Sequence, residues 1–488
     1  MSDATESKSK TEEPKQPQEQ RVETQHTVTI GGKQLKYTAI AGTLILKEED
    51  DDKGEHKPKA SVFYTAYIVE QPKNAKPRPL TFSFNGGPGS SSVWLHLGIL
   101  GPRRVDMPLD DSMPCPPFGL VDNEYSILSE TDLVFIDPVT TGYSRPVPGE
   151  AAKQFHGFQK DLETVAEFIR LFTSRHMRWS SPKFLIGESY GTTRAAALSG
   201  HLQDRHGMFL NGIMLISSVL EFSTLLFNIG NDLPYVLFLP TYAATAWYHQ
   251  QLSGEMQASL GKTLADVRAF AAGEYATALM QGDALPDEQR QHIAAKLAAF
   301  TGLSQDYILR CNLRPEIHRF TKELLRAQSK TVGRLDSRYI ASDRDDAGEN
   351  YEFDPSYAAI QGAFTAALNQ YVRAELEFES DLPYEILSGR VHPWSYKEHE
   401  NQYLNVAETL RQAMVINPAL KVFVANGYYD LATPFFATEY TFNHLQLAPE
   451  LRANISMEYY EAGHMMYIHE ASLKAQHKHL TDFIKKSQ

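Results

Sequence analysis

The sequence predicts an α/β fold in which a mainly parallel sheet is interrupted by a helical insertion. In the first part of the chain, apolar runs of strand length alternate with helical patterns, as is typical of parallel sheets. Helical patterns dominate from about residue 219 to 400, and further strand-like runs follow. The strand-like runs are SVFYTAYIVE (61–70), PLTFSFN (79–85), TDLVFID (131–137), KFLIG (183–187), NGIMLIS (211–217), LKVFVANG (420–427) and ISMEYYEAG (455–463).

These patterns divide the chain into three parts. Residues 1–24 are polar and rich in Pro, Glu, Lys and Gln, so we expect a disordered tail. Residues 25–218 together with 401–488 form the predicted α/β core. Residues 219–400 form the predicted helical cap insertion.

The beginning of the core has two further local signals. Residues 26–47 alternate in polarity around a Gly-Gly pair at 31–32, which predicts a β-hairpin. The charged run KEEDDDKGEHKPK (47–59) is interpreted as a solvated loop between two strands.

Composition narrows the possible partners and location. The 488 residues have a formal net charge of −13, which argues against nucleic acid and anionic membranes as partners. Two cysteines, Cys115 and Cys311, provide no disulfide framework. No signal peptide is recognisable, and no run of about 18 apolar residues suggests a membrane span. We therefore expect a cytoplasmic protein.

The stretch KFLIGESYGTTRAAAL contains the pattern G-x-S-x-G, with Ser189 between Gly187 and Gly191. A strand pattern precedes it and a helix pattern follows, which is the setting of the nucleophile elbow in α/β-hydrolases. Such a turn lifts the serine hydroxyl above the sheet. The neighbouring Glu188 points in another direction on the turn and is not the expected base.

A serine hydroxyl needs a base, and this fold places the partners in the order Ser, Asp or Glu, His. Asp430 follows the apolar run in VFVANGYYDLATP, and His464 follows the next strand in YYEAGHMMY. We interpret Ser189, Asp430 and His464 as a catalytic triad, in which His464 accepts the serine proton and Asp430 orients the imidazole.

Acyl transfer also needs donors for the oxyanion that develops on the substrate. The glycine-rich stretch TFSFNGGPGSSS follows an early strand, so its backbone can approach a substrate. We assign the oxyanion hole to the N–H groups of Gly87 and of Tyr190, the residue after the nucleophile.

Together, N-G-G-P-G-x-S-S, G-E-S-Y-G, the late Asp and A-G-H-M resemble the serine carboxypeptidase family. FIDPVTTGYS (135–144) is similar to another of that family's motifs, and the matches run from about residue 80 to the end of the chain. The resemblance implies that Asn85 and Glu188 bind the substrate's terminal carboxylate. Glu188 can do so only when protonated, because two ionised carboxylates repel each other.

The sequence also departs from the family pattern. Ser83 and Ser90 replace a common Trp and Cys, and Ile99 occupies the position of a second glutamate that supports the first. Met466 and Tyr467 follow A-G-H-M where the family usually has Val-Pro. The absence of the second glutamate puts the family's usual acidic optimum in doubt.

The predicted function is a serine-type carboxypeptidase that releases C-terminal residues from peptides through an acyl-enzyme, with no cofactor and no metal. The alternatives are another α/β-hydrolase activity (aminopeptidase, esterase or acyltransferase) or a non-catalytic peptide-binding protein. Peptides are the expected partners. The sequence leaves the oligomeric state and the preferred side chains open.

Overall fold

A computed structural model describes residues 17–50, 54–72, 74–108 and 112–488. The strands in these ranges are β1 (Arg21–Ile30), β2 (Lys33–Asp50), β3 (Glu55–Val69), β4 (Leu80–Phe84), β5 (Arg103–Val105), β6 (Leu120–Asp122), β7 (Asp132–Ile136), β8 (Arg145–Pro146), β9 (Lys183–Ser189), β10 (Gly212–Ser218), β11 (Thr331–Val332), β12 (Ile340–Ala341), β13 (Lys421–Gly427) and β14 (Ile455–Tyr460).

The helices in the same ranges are α1 (Val93–Leu95), α2 (Phe158–Arg175), α3 (Tyr190–His206), α4 (Leu233–Tyr248), α5 (Gly254–Ala258), α6 (Leu260–Phe270), α7 (Ala276–Gln281), α8 (Asp287–Thr301), α9 (Gln305–Arg310), α10 (Ile317–Glu323), α11 (Pro355–Ala374), α12 (Ala407–Ile416), α13 (Phe435–Asn443), α14 (Pro449–Arg452) and α15 (Glu470–Lys486). None of these helices is both long enough and apolar enough to cross a membrane.

One large sheet organises the fold, in the order β1-β2-β3-β7-β4-β9-β10-β13-β14, with the short β8 paired to β3. The strands from β7 to β14 in this order are parallel, whereas β1, β2 and β3 are antiparallel to their neighbours. Parallel strands need apolar residues on both faces, because crossover helices cover each side. The α/β fold with a mainly parallel sheet is therefore confirmed, and it is that of the α/β-hydrolases.

Alternate residues of each central strand face two different cores. Phe184 and Ile186 of β9 pack in the cluster that contains residues of α11 and α15. Leu185, between them, packs in the cluster formed with α2, α3 and α12. Since successive side chains of a strand point to opposite faces, one short apolar run supplies both layers.

Two predictions at the beginning of the chain need correction. The predicted tail extends too far, because β1 begins at Arg21, where Arg21 pairs with Gly42; residues 1–16 lie outside the described residues. The described part of the predicted loop 47–59 is largely strand, since β2 and β3 continue as a ladder that pairs Glu48 with Lys57, while residues 51–53 lie outside the described residues. Cross-strand pairing of opposite charges lets a charged run form a ladder. The hairpin is confirmed, with Ile30 opposite Lys33.

Several of the helices between β10 and β13 build a core of their own. Residues of α4, α6, α8 and α10 form a third apolar cluster, which also takes in Tyr429, Leu431 and Phe435 from the segment after β13. In contrast, α11 contributes Phe364 to the cluster on one face of the sheet. The inserted helices thus pack directly against the loop that follows β13.

Candidate active site

Ser189 lies at the junction of β9 and α3, which begins at Tyr190. Its backbone has φ 59° and ψ −130°, a conformation that L-residues adopt only under strain. This is the geometry of a nucleophile elbow, in which the chain reverses sharply so that the serine side chain stands above the strand ends. Strain of this kind persists only where the surrounding structure enforces it.

Two glycines make the elbow possible by allowing backbones to approach. A Cβ on Gly187 would lie 2.1 Å from the carbonyl oxygen of Gly191, one turn later. A Cβ on Gly86 would lie 2.4 Å from the backbone nitrogen of Tyr190. A larger residue at position 187 would push the first turn of α3 away from β9, and one at position 86 would push the glycine-rich loop away from the elbow.

His464 and Asp430 form a buried hydrogen-bonded pair. His464 Nδ1 and Asp430 Oδ2 are 2.8 Å apart. Burial opposes protonation of the imidazole, but the charge and hydrogen bond of Asp430 outweigh this effect and raise the pKa of His464. An imidazole held in this way is suited to accept a proton and to bear the resulting charge.

The Asp430 carboxylate is itself fixed by the loop that follows it. Its Oδ1 accepts hydrogen bonds from the N–H groups of Ala432 (2.8 Å) and Thr433 (3.0 Å). The Thr433 hydroxyl donates to Oδ2 at 2.6 Å. These donors hold one carboxylate oxygen towards the backbone and leave the other facing His464.

Ser189, Glu188 and His464 line one cavity of about 760 Å³. The Ser189 hydroxyl makes no hydrogen bond with the described residues, so a role of His464 as its base would require a bond that forms when a substrate binds. Catalytic hydrogen bonds commonly tighten only at that stage. The inserted segments provide much of the remaining lining, including Phe227, Phe238 and other apolar side chains.

The two residues predicted to supply the oxyanion hole, Gly87 and Tyr190, both lie beside the cavity. Gly87 has φ 100°, and its N–H makes no hydrogen bond within the described residues. The N–H of Tyr190 belongs to the first turn of α3, where no intrahelical acceptor exists. Both residues line the cavity that contains Ser189.

Glu188 and Asn85 contact each other beneath this cavity. The Asn85 side-chain amide donates to Glu188 Oε1 at 2.8 Å, and Asn85 Oδ1 accepts from the N–H of Leu95. Glu188 lines the cavity, whereas Asn85 is not among its lining residues. Asn85 therefore reaches the cavity through Glu188.

A tyrosine that sequence reasoning missed completes this cluster. The Tyr467 hydroxyl donates to Glu188 Oε2 at 2.6 Å. Its ring lies against the backbone of Gly98, since a Cβ there would be 2.2 Å from it. Tyr467 thus gives Glu188 a polar partner, whereas the apolar Ile99 occupies the position predicted for a second glutamate. The available signal was the replacement of Val-Pro by Met-Tyr after A-G-H-M.

Burial dominates the ionisation of Glu188. It raises the pKa of Glu188 to about 7, while the nearby His464 and the hydrogen bonds from Tyr467 and Asn85 partly oppose the shift. The side chain is only 3% exposed, so its charged form loses hydration that the two donors restore only in part. Near neutral pH the carboxyl group passes from neutral to charged.

A bracing segment, residues 334–338, was also not anticipated. This part of the insertion runs between the two loops that carry Asp430 and His464, and it bonds to both of them. Its bonds are Leu431 N–H to Arg334 C=O (3.0 Å), Ser337 N–H to Tyr429 C=O (3.0 Å), His464 N–H to Leu335 C=O (2.7 Å) and Gly463 N–H to Asp336 Oδ2 (3.2 Å). These hydrogen bonds tie the insertion to both loops and so set their spacing.

Comparison with known proteins identifies one family. Residues 53–477 match the family model described as serine carboxypeptidase. Serine carboxypeptidase-like 45 of Arabidopsis thaliana is 28% identical over 178 residues, which is 35% of this chain and 36% of that protein. The pheromone-processing carboxypeptidase KEX1 of Saccharomyces cerevisiae is 31% identical over 157 residues, 31% of this chain and 20% of that protein.

The crystal structure of the Saccharomyces cerevisiae prohormone-processing carboxypeptidase Kex1(delta)p shares the fold. It superposes with a TM-score of 0.57 and 16% identity, covering 92% of this chain and 91% of that one. The sequence alignments, in contrast, span little more than a third of the curated relatives at most.

Proposed function

The chain belongs to the serine carboxypeptidase family, and from this premise we propose that it removes residues from the C-terminal end of peptides. The observation that supports this most directly is the hydrogen-bonded pair of Asp430 and His464 beside the same cavity as Ser189. A cytoplasmic location stays a prediction.

In the first half of the reaction, Ser189 Oγ attacks the carbonyl carbon of the last peptide bond while His464 Nε2 takes its proton. The N–H groups of Gly87 and Tyr190 stabilise the oxyanion of the tetrahedral intermediate. His464 then passes the proton to the leaving nitrogen. The carbon–nitrogen bond breaks, and the terminal amino acid departs.

The second half releases the shortened peptide. Water attacks the ester carbonyl of the acyl-enzyme and gives a proton to His464. As the tetrahedral intermediate collapses, the carbon–oxygen bond to Ser189 breaks and the proton returns to the serine oxygen. Asp430 keeps the imidazole oriented and stabilises its charge in both halves.

Recognition of the chain end involves Glu188 in its neutral form. The protonated carboxyl can donate a hydrogen bond to the substrate's terminal carboxylate, whereas an ionised one repels it. Asn85 and Tyr467 hold Glu188 in place. In this proposal Asn85 supports the terminal carboxylate site through Glu188.

We expect mass spectrometry of a peptide mixture to show stepwise loss of C-terminal residues. The mixture contains each peptide with both ends free, with an acetylated N-terminus and with an amidated C-terminus. A carboxypeptidase shortens the first two and acts slowly on the third. Shortening of the amidated peptides from the N-terminus would instead indicate an aminopeptidase. Ser189→Ala is the inactive control.

The pH dependence of peptide cleavage follows from the pKa of Glu188. We expect kcat/KM for an N-blocked peptide to fall as pH rises through about 7, because Glu188 loses its proton there. An ester of an uncharged alcohol has no terminal carboxylate and should lack this decline. Both profiles should fall on the acid side, where His464 becomes protonated.

Two variants test the origin of this decline. Glu188→Gln has no proton to lose, so its peptide profile should stay level above pH 7. Tyr467→Phe removes a donor that favours the charged carboxylate, so the decline should move to higher pH. Superimposable peptide profiles for the wild type and Glu188→Gln would remove Glu188 from substrate binding.

A further inference from the structure

The cavity beside Ser189 contains one permanently charged cationic side chain among its described lining residues, that of Arg334. The acidic and histidine side chains among these lining residues are Glu188, Glu316, His318, His392 and His464. Arginine stays protonated at every physiological pH. The positive charge in the cavity is therefore independent of the ionisation of its neighbours.

The backbone of Arg334 is fixed on both sides. Its N–H donates to Asp354 Oδ1 at 3.1 Å, and its carbonyl accepts from the N–H of Leu431, the residue after Asp430. Arg334 thus belongs to the bracing segment, and its position relative to the catalytic loops is set by hydrogen bonds.

The guanidinium of Arg334, in contrast, forms no hydrogen bond or ion pair with the described part of the chain. Arg338, four residues later, shows the usual arrangement, since it is buried and paired with Asp336 at 2.7 Å. A half-buried guanidinium loses part of its hydration, and without a hydrogen-bond partner this loss is not compensated. A ligand carboxylate would offset this cost, because it can accept two parallel hydrogen bonds from arginine.

The positive charge also acts on the catalytic centre. It opposes protonation of His464, while Asp430 and Glu188 favour it. Burial raises the pKa of Tyr351, and so do Asp354 and Glu316, whereas Arg334 lowers it, so the two carboxylates and the guanidinium act on the same side chain. Neither carboxylate pairs with the guanidinium. The guanidinium therefore stays available to a substrate anion in the cavity.

We propose that Arg334 is a specificity-determining residue that binds a carboxylate group of the substrate. This inference rests on the proposed function, since a C-terminal chain end brings a carboxylate into the cavity. Glu188 would then make recognition sensitive to pH, and Arg334 would supply the counter-charge. The same chemistry could serve the terminal carboxylate or the side chain of an acidic residue.

Calorimetric binding of three small ligands to the whole protein separates these sources without requiring turnover. N-acetylphenylalanine has a terminal carboxylate, its amide has none, and N-acetylglutamic acid α-amide has only a side-chain carboxylate. We expect the wild type to bind at least one of the two acids more tightly than the amide. Arg334→Gln should weaken binding of that acid by about 10- to 100-fold and leave the amide unchanged.

The matched control is Arg344→Gln, which makes the same substitution at a side chain that is 83% exposed and outside the cavity lining. It should bind all three ligands like the wild type, and Arg334→Lys should recover part of the affinity because it keeps the charge. An equal loss for the amide would indicate a structural role and overturn the proposal. So would an acid preference that survives Arg334→Gln, or the absence of any such preference in the wild type.

The binding measurement and the peptide assay together separate failure of the Arg334 proposal from failure of the proposed function. If the wild type does not shorten peptides but loses its acid preference in Arg334→Gln, the carboxypeptidase proposal fails and the carboxylate site stands. If the wild type shortens peptides and Arg334→Gln binds the acids normally, the Arg334 proposal alone is wrong.

Discussion

Ser189→Ala is expected to lower kcat/KM for peptides and esters by about 10⁴- to 10⁶-fold. The substitution removes the atom that forms the acyl-enzyme, and no other group can replace it in the elbow. The fold should be retained, because the hydroxyl makes no hydrogen bond with the described residues that would be left unsatisfied. We expect the free energy of unfolding to change by no more than about 0.5 kcal/mol.

Covalent labelling with a fluorophosphonate provides the second measurement. Wild-type protein should be labelled once, and Ser189→Ala should not be labelled at all. Ser199→Ala is the matched control, since Ser199 lies on α3, where its hydroxyl donates to the carbonyl of Ala196. Full labelling of Ser189→Ala, or loss of labelling in Ser199→Ala, would contradict the assignment of the nucleophile.

Asp430→Asn is expected to lower kcat by about 10⁴-fold, for peptide and ester alike. The backbone donors of Ala432 and Thr433 hold one oxygen of the side chain, so the asparagine carbonyl should stay there. Its amide N–H₂ then faces His464 Nδ1 and forces the proton onto Nε2. In this tautomer His464 cannot accept the proton of Ser189.

The tautomer change should also be visible in the ionisation of His464. Since Asp430 raises the pKa of His464, its replacement by a neutral amide should lower that pKa. An NMR titration of the imidazole measures this shift directly. Asp381→Asn, at a fully exposed aspartate, is the control and should leave rate and titration unchanged. Wild-type rates in Asp430→Asn would exclude the triad.

The two substitutions differ from Glu188→Gln in a way that separates chemistry from recognition. Ser189 and Asp430 are proposed to act in the acyl transfer itself, so their replacement should affect both substrates. Glu188 is proposed to contact only a terminal carboxylate, so its replacement should affect peptides and spare uncharged esters. A parallel loss on both substrates in Glu188→Gln would assign this residue to the chemistry instead.

Much of the fold could be predicted from the sequence because its signals are local. The continuous apolar run in KFLIG predicts a strand buried on both faces, and the G-x-S-x-G pattern around Ser189 predicts a sharp turn before a helix. The limits of β2 and β3 were missed, because a charged run was interpreted as a loop. Pairing of Glu48 opposite Lys57 shows that the neighbouring strand decided its conformation.

The candidate site was predicted in part. Ser189, Asp430 and His464 follow strand ends, and parallel strands bring such ends to one edge of a sheet. Tyr467 could not be assigned, because it meets Glu188 across 279 positions of the chain. Arg334 lies in the insertion, whose helical patterns do not reveal which of its loops reaches the catalytic residues.

By itself, the sequence determined the order of the candidate catalytic residues along the chain: a serine at a turn after a strand, then an aspartate, then a histidine, each marked by a short local pattern. Only the tertiary structure decided the surroundings of Glu188 and the presence of Arg334 in the cavity. The reason is physical. Backbone conformation and strand burial depend on neighbouring residues, whereas the charge and hydration of a buried carboxyl depend on groups brought together from distant parts of the chain.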